Sequence, residues 1–113
     1  MVAYDHVKLL LLDRNLMWTV RLKGAAEAFG ATVEVLGEAP ESVPEFDIAI
    51  VDLAVPAFVE AIPLLREGGG KVVGRSGHKE TELREAGRLA GCDFIATNGA
   101  LAKNLKATLA RVP

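Results

Sequence analysis

The stretch from Phe46 to Pro56, Phe-Asp-Ile-Ala-Ile-Val-Asp-Leu-Ala-Val-Pro, constrains this chain more than any other. A near-continuous apolar run of that length reads as a strand buried on both faces, the pattern of a central strand in a parallel sheet. It ends on Asp52, and Pro56 follows to stop the ladder and open a turn. In open α/β sheets, ligands and chemistry collect at the carboxyl ends of strands. Asp52 therefore stands where a site belongs, unless its carboxylate only caps the next turn or helix.

Other apolar runs alternate with amphipathic stripes on both sides of this strand. Val7 to Leu12 is a first buried strand, closed by Asp13-Arg14-Asn15, where Asp13 or Asn15 can cap a helix. In that helix Trp18, Leu22, Ala25 and Phe29 form the packing stripe, and Gly30 ends it. Thr32 to Leu36 alternates like a half-buried strand near an edge. Gly37 to Glu45 carries two prolines and few apolar residues, so the second crossover helix is reduced to one turn at most. After the central strand, Ala57 to Arg66 reads as a short helix with Phe58, Ile62 and Leu65 inward and Pro63 as an irregularity.

Lys71 to Arg75 is the fourth strand, and Lys79 to Ala90 a helix with Leu83, Ala86 and Ala90 inward, ended by Gly91. Cys92 to Ala96 is the fifth strand, and Leu101, Leu105, Leu109 and Val112 mark the inner stripe of one closing helix. Strands alternating with crossovers predict an α/β, doubly wound, flavodoxin-like sheet of five parallel strands in the order 2-1-3-4-5. No repeat, linker or low-complexity tract interrupts residues 1–113, so one domain is expected.

Half the residues are hydrophobic and 25% are charged, the balance of a soluble globular protein. A formal net charge of −2 gives no general attraction to nucleic acid or to an anionic membrane. The polar lead-in Met1 to His6 runs into an apolar run too short for a signal peptide or a bilayer span. One cysteine, Cys92, forms no internal disulfide and suits a reducing cytoplasm. The absence of Gln, with few Asn, hints at a thermophilic source.

Several signatures fail. Gly70-Lys71 resembles the tail of a phosphate loop, but Leu65 occupies the earlier glycine position and the glycines precede a strand. Asp13-Arg14-Asn15 stands where a dinucleotide fingerprint would place glycines. His6, His78 and Cys92 lack metal-ligand spacing, and Ser76 has no local His–carboxylate pair.

What remains is a set of strand-end residues: Asp13 after the first strand, Asp52 after the third, Ser76 after the fourth and Asn98 after the fifth. With these the chain resembles, over nearly its full length, the receiver domain of bacterial response regulators (CheY-like). The family pattern has an acidic pair after the first strand and a phospho-accepting Asp after the third, with Pro four residues on. Ser or Thr follows the fourth strand, and Lys, usually then Pro, the fifth. Asp13, Asp52 with Pro56, and Ser76 match that pattern; Arg14 replaces the second acid, and Asn98-Gly99 replaces Lys-Pro.

The resemblance implies an atypical or pseudo-receiver, a non-enzymatic signalling module of a two-component system that docks a protein. Its partner would be a histidine kinase or an output protein. Phosphoryl transfer to a carboxylate needs a divalent cation, and Asp13 and Asp52 alone would hold Mg²⁺ weakly at best, with no other cofactor expected. Arg14 is expected close to Asp52, neutralising it where a metal would sit. Docking or weak homodimerisation is expected around Arg88, Ala102, Lys106 and Ala110 of the last two helices. Two alternatives stay open: a phosphorylatable single-domain regulator using Asp52, Asp13 and Ser76, and a small-ligand binder whose Gly74 and Gly77 allow close backbone approach.

Overall fold

A computed structural model describes residues 6–113, so most of the polar lead-in, Met1 to Asp5, lies outside the described residues. In chain order the elements are β1 Lys8–Leu12, α1 Leu16–Ala28, β2 Thr32–Leu36, β3 Ile48–Asp52, α2 Pro56–Glu67, β4 Lys71–Ser76, α3 Thr81–Ala90, β5 Phe94–Thr97, α4 Asn98–Lys103 and α5 Leu105–Leu109. The five strands form one sheet, all neighbours parallel, in the order β2-β1-β3-β4-β5. The order follows from right-handed crossovers, which place β3 beside β1 and leave β2 and β5 as edges. The central stretch is indeed buried on both sides: Ala49, Ile50 and Val51 are all but inaccessible.

Two cores flank the sheet. Leu9, Leu11, Ile50 and Val73 point to one face and pack against Leu22 and Ala26 of α1, Leu101 of α4, and Leu105 and Leu109 of α5. Leu10, Leu12, Ala49, Val51 and Val72 point to the other face and meet Phe58, Ile62 and Leu65 of α2, with Leu83 and Ala90 of α3. The alternation along each strand is the pleat itself, which sends successive side chains to opposite faces. Residues 37–47 contain no helix, as the two prolines foretold. Leu53 fills the space beside two glycines: a Cβ on Gly74 or on Gly87 would lie 2.8 Å from its Cδ1. Those glycines let α3 sit close over β4.

Several sequence expectations shift. On α1, Trp18, Leu22 and Phe29 pack against the core as expected, with Thr19 and Ala26 beside them, while Ala25 is exposed, because the i+4 neighbour of Leu22 faces the sheet. Pro63 lies inside α2 without ending it, on the exposed side. On α3 the fully buried residue is Gly87, while Leu83, Ala86 and Ala90 are half-buried. The closing helix is two short helices. Asn104 is extended between them (φ −157°), and its side chain accepts from Ala107 N–H at 3.0 Å to start the second. The Leu101, Leu105 and Leu109 stripe still faces inward.

Candidate functional site

Four elements deliver polar side chains to the carboxyl edge of the sheet. Asp13 follows β1, Asp52 ends β3, Arg75 and Ser76 end β4, and Asn98 opens α4 directly after β5. Register sets the first contact, because β3 and β4 pair Asp52 with Arg75. Asp13, Asp52 and Arg75 each lie two residues beyond an apolar residue of the α1-side core (Leu11, Ile50 and Val73), so the pleat sends all three to that side.

Arg75 is the centre of the cluster. It is 6% exposed, and its planar guanidinium uses each nitrogen on a different partner. Nε donates to Asp13 Oδ2 at 2.7 Å, Nη2 lies 3.2 Å from Asp52 Oδ2, and Nη1 donates to Asn98 Oδ1 at 3.0 Å. Its Cζ sits 4.8 Å from the Trp18 ring centroid, a stacked cation–π contact. The other carboxylate oxygens are also taken: Asp13 Oδ1 accepts from Asn15 N–H at 2.9 Å, and Asp52 Oδ1 from Ala54 N–H at 3.0 Å. Asn15, not Asp13, caps α1, accepting from Trp18 N–H at 3.1 Å. Trp18 Nε1 is buried with no hydrogen-bond partner among the described residues, so this ring is held by packing and by the cation above it.

Two like charges converging at a buried strand end repel unless a cation lies between them. Arginine suits that position, since it stays charged and its fork serves several acceptors at once. The expectation that Arg14 supplies the cation is corrected here. Arg14 turns outward, where Nε donates to Gly37 C=O at 2.8 Å, Nη2 reaches Glu38 at 3.1 Å, and Cζ lies 5.2 Å from the Phe58 ring. The loop that replaces the missing crossover helix offers Arg14 those acceptors, and Arg75 already fills the space between the two acids.

Asp13, Asp52 and Asn98 thus meet through one residue. Ser76, at the same edge, lies one residue beyond Arg75, and its hydroxyl donates to Gly77 C=O at 3.2 Å. The close-approach role for Gly74 and Gly77 is taken by the chain's own atoms: a Cβ would meet Leu53 at Gly74, and Glu80 Oε1 at 2.8 Å at Gly77. Arg75 itself was missed by sequence reasoning. The available signal was a lone cation closing an apolar strand whose neighbours end in Asp52 and Asn98.

These residues do not fit a divalent cation as they stand. A hard cation wants several free oxygens, and each carboxylate oxygen of Asp13 and Asp52 has a nitrogen within 3.2 Å. Among the described residues no group of three or more His, Cys, Asp or Glu is placed to hold a metal. Of the expected docking residues, Arg88 lies on α3 paired with Glu85, and Ala102, Lys106 and Ala110 lie on or just after α4 and α5. The two groups flank edge strand β5 from opposite faces of the sheet. Among the described residues no helix is long and apolar enough to cross a membrane.

No family model matches the chain, and no curated protein matches it. Solved structures do. A CheY-like response regulator receiver domain protein from Methanospirillum hungatei has 20% identity and a TM-score of 0.74, over 94% of this chain and 95% of that one. The Saccharomyces cerevisiae co-crystal of the histidine phosphotransfer protein Ypd1 with the receiver domain of Ssk1 matches at 15% identity and TM-score 0.75, over 96% and 88%. A Burkholderia pseudomallei response regulator, solved with a phosphorylated aspartic acid, calcium and citrate, matches at 18% identity and TM-score 0.79, over 95% and 66%. At such identities the likeness is one of fold, and the fold is that of response-regulator receiver domains.

Proposed function

We propose that this chain is an atypical receiver, a signalling module that works by docking a protein and does not depend on aspartyl phosphorylation. One observation carries the reading: the Arg75 guanidinium lies between Asp13 and Asp52 and engages Asn98 as well. Transfer of a phosphoryl group to Asp52 requires an open carboxylate oxygen and a cation to screen the incoming charge. Here the two carboxylates already share one internal cation, and each of their oxygens already has a nitrogen partner. The side chain also ties the ends of β1 and β3 to the first residue of α4, so the site is held in one arrangement without a ligand. In this reading the output is constitutive, and a histidine kinase or an output protein recognises the surface around β5 that carries Arg88, Ala102, Lys106 and Ala110.

Intact-mass measurement after incubation with acetyl phosphate and Mg²⁺ tests the reading. Wild type is expected to gain no phosphoryl group. A variant that removes the internal cation with Arg75→Thr and restores the receiver pattern with Arg14→Asp and Asn98→Lys is expected to gain one, mapped to Asp52. Efficient phosphorylation of wild type at Asp52 would overturn the proposal in favour of a phosphorylatable regulator.

A further inference from the structure

We infer that the outward face of α1 pairs antiparallel with the same helix of a second copy of the chain, forming a weak symmetric dimer. This goes beyond the reading of the Arg75 site and does not depend on it. A helix that covers one face of a sheet is ordinarily polar on its other side. α1 is not: Leu16 is 77% exposed, Met17 87% and Val20 70%, a cluster confined to its first turns. Those three side chains expose on the order of 400 Å², within the range at which apolar patches on monomers tend to be functional.

A second observation names the occupant. Gly24 lies in the interior of α1, where glycine weakens a helix, yet a Cβ there would meet nothing within 4 Å. Among the described residues no contact needs that residue to be small. Leu16, Val20, Gly24 and Ala28 follow one another at four-residue spacing, so they form a single row, and all four are exposed. The row runs from large to small. Turned antiparallel on itself, it sets Leu16 against Ala28 of the second copy and Val20 against Gly24, large side chains into small gaps along the whole contact. A partner of unrelated sequence has no reason to match that order, whereas a second copy matches it by symmetry.

Charge acts both ways: the arrangement sets exposed Arg21 level with Lys23 of the second copy, which weakens the contact, but it is favourable at the helix ends. The first turn of α1 has no acidic residue of its own. The antiparallel arrangement brings Glu27 of the second copy to that end, and a carboxylate beside a helix N-terminus is favourable. With on the order of 400 Å² of apolar surface offered by each copy, the contact is smaller than the roughly 1,200–2,000 Å² of stable complexes, so the dimer is expected to be reversible and concentration-dependent.

Cysteine cross-linking of the full chain reads the geometry directly. The native Cys92 thiol is half-buried and is pushed up to about 12 by burial and by the neighbouring Asp93, so it stays out of the reaction. Under mild oxidation, the double variant Leu16→Cys with Ala28→Cys is expected to form a disulfide-linked dimer, and each single variant at least tenfold less. Sedimentation velocity over a concentration series is expected to show wild type moving toward dimer. The change Val20→Glu, at a position 70% exposed, should weaken association at least tenfold while leaving the circular dichroism spectrum unchanged. The inference is overturned if wild type stays monomeric up to about 1 mM, which would assign the face to a different partner. Single variants that cross-link as well as the double one would indicate parallel pairing and also overturn it, as would unchanged association of Val20→Glu.

Discussion

Replacing Arg75 by methionine removes the cation and keeps most of the side-chain volume, so the change isolates charge from packing. It would leave the carboxylates of Asp13 and Asp52, with side chains 2% and 14% exposed, facing each other without a counter-ion. Removing one partner of a buried ion pair costs about 3–5 kcal/mol, because the remaining charge stays desolvated. Two carboxylates remain here, which pushes toward the upper end, while the more open Asp52 can regain water, which pulls back. The expected loss is about 4 kcal/mol, read from urea denaturation at neutral pH, with a drop in melting temperature of roughly 15 °C for a chain of this size. The same variant frees carboxylate oxygens for a metal. If it creates a site of ~1 mM affinity, 10 mM Mg²⁺ returns about 1.4 kcal/mol. Adding Asp13→Asn and Asp52→Asn should recover most of the loss and abolish the Mg²⁺ effect, since no buried charge then remains. A loss below about 1 kcal/mol for Arg75→Met, or wild type stabilised by Mg²⁺ as strongly as the variant, would refute the reasoning that Arg75 holds the site closed.

Glycine-to-alanine changes should act with opposite signs at two helix positions. At Gly24, with open space around it, alanine should raise stability by about 0.5–1 kcal/mol, whereas at Gly87 its Cβ meets Leu53 at 2.8 Å and should cost about 1–2 kcal/mol, both measured by denaturant midpoint. Asp93 gives an acid-side prediction: burial pushes its carboxyl up, but the Val72 N–H and the Arg66 guanidinium outweigh that and hold it below the usual range. A depressed carboxyl contributes stability above its unfolded value and loses it as pH falls through the folded one, so Asp93→Asn should flatten the acid limb of the stability–pH curve below about pH 4. The Cys92 thiol should resist iodoacetamide at pH 8 in the native protein and react fully in urea, because burial keeps it protonated.

What the sequence determined by itself was the alternation. Apolar runs of strand length and amphipathic stripes depend on local periodicity, and the right-handed crossover leaves few arrangements once five such units follow one another. That carried the sheet order, the missing helix after β2, and the convergence of Asp13 and Asp52 at one edge. Periodicity does not resolve a one-residue rotation of a helix, so Ala25 was read as inward where Ala26 is. It also does not show that Asn104 can break a helix whose leucine stripe continues unbroken. The identity of the site's cation was decided only in three dimensions. Arg14 is adjacent to Asp13 in the chain and Arg75 is 62 positions away, yet Arg75 donates to it. Strand register places Arg75 opposite Asp52, and the pleat turns its guanidinium inward. Arg14, just past the strand end, finds acceptors in the loop at Gly37 and Glu38. Two arginines of identical chemistry thus take different roles, because pairing across strands is fixed by backbone hydrogen bonds that no single segment of sequence encodes.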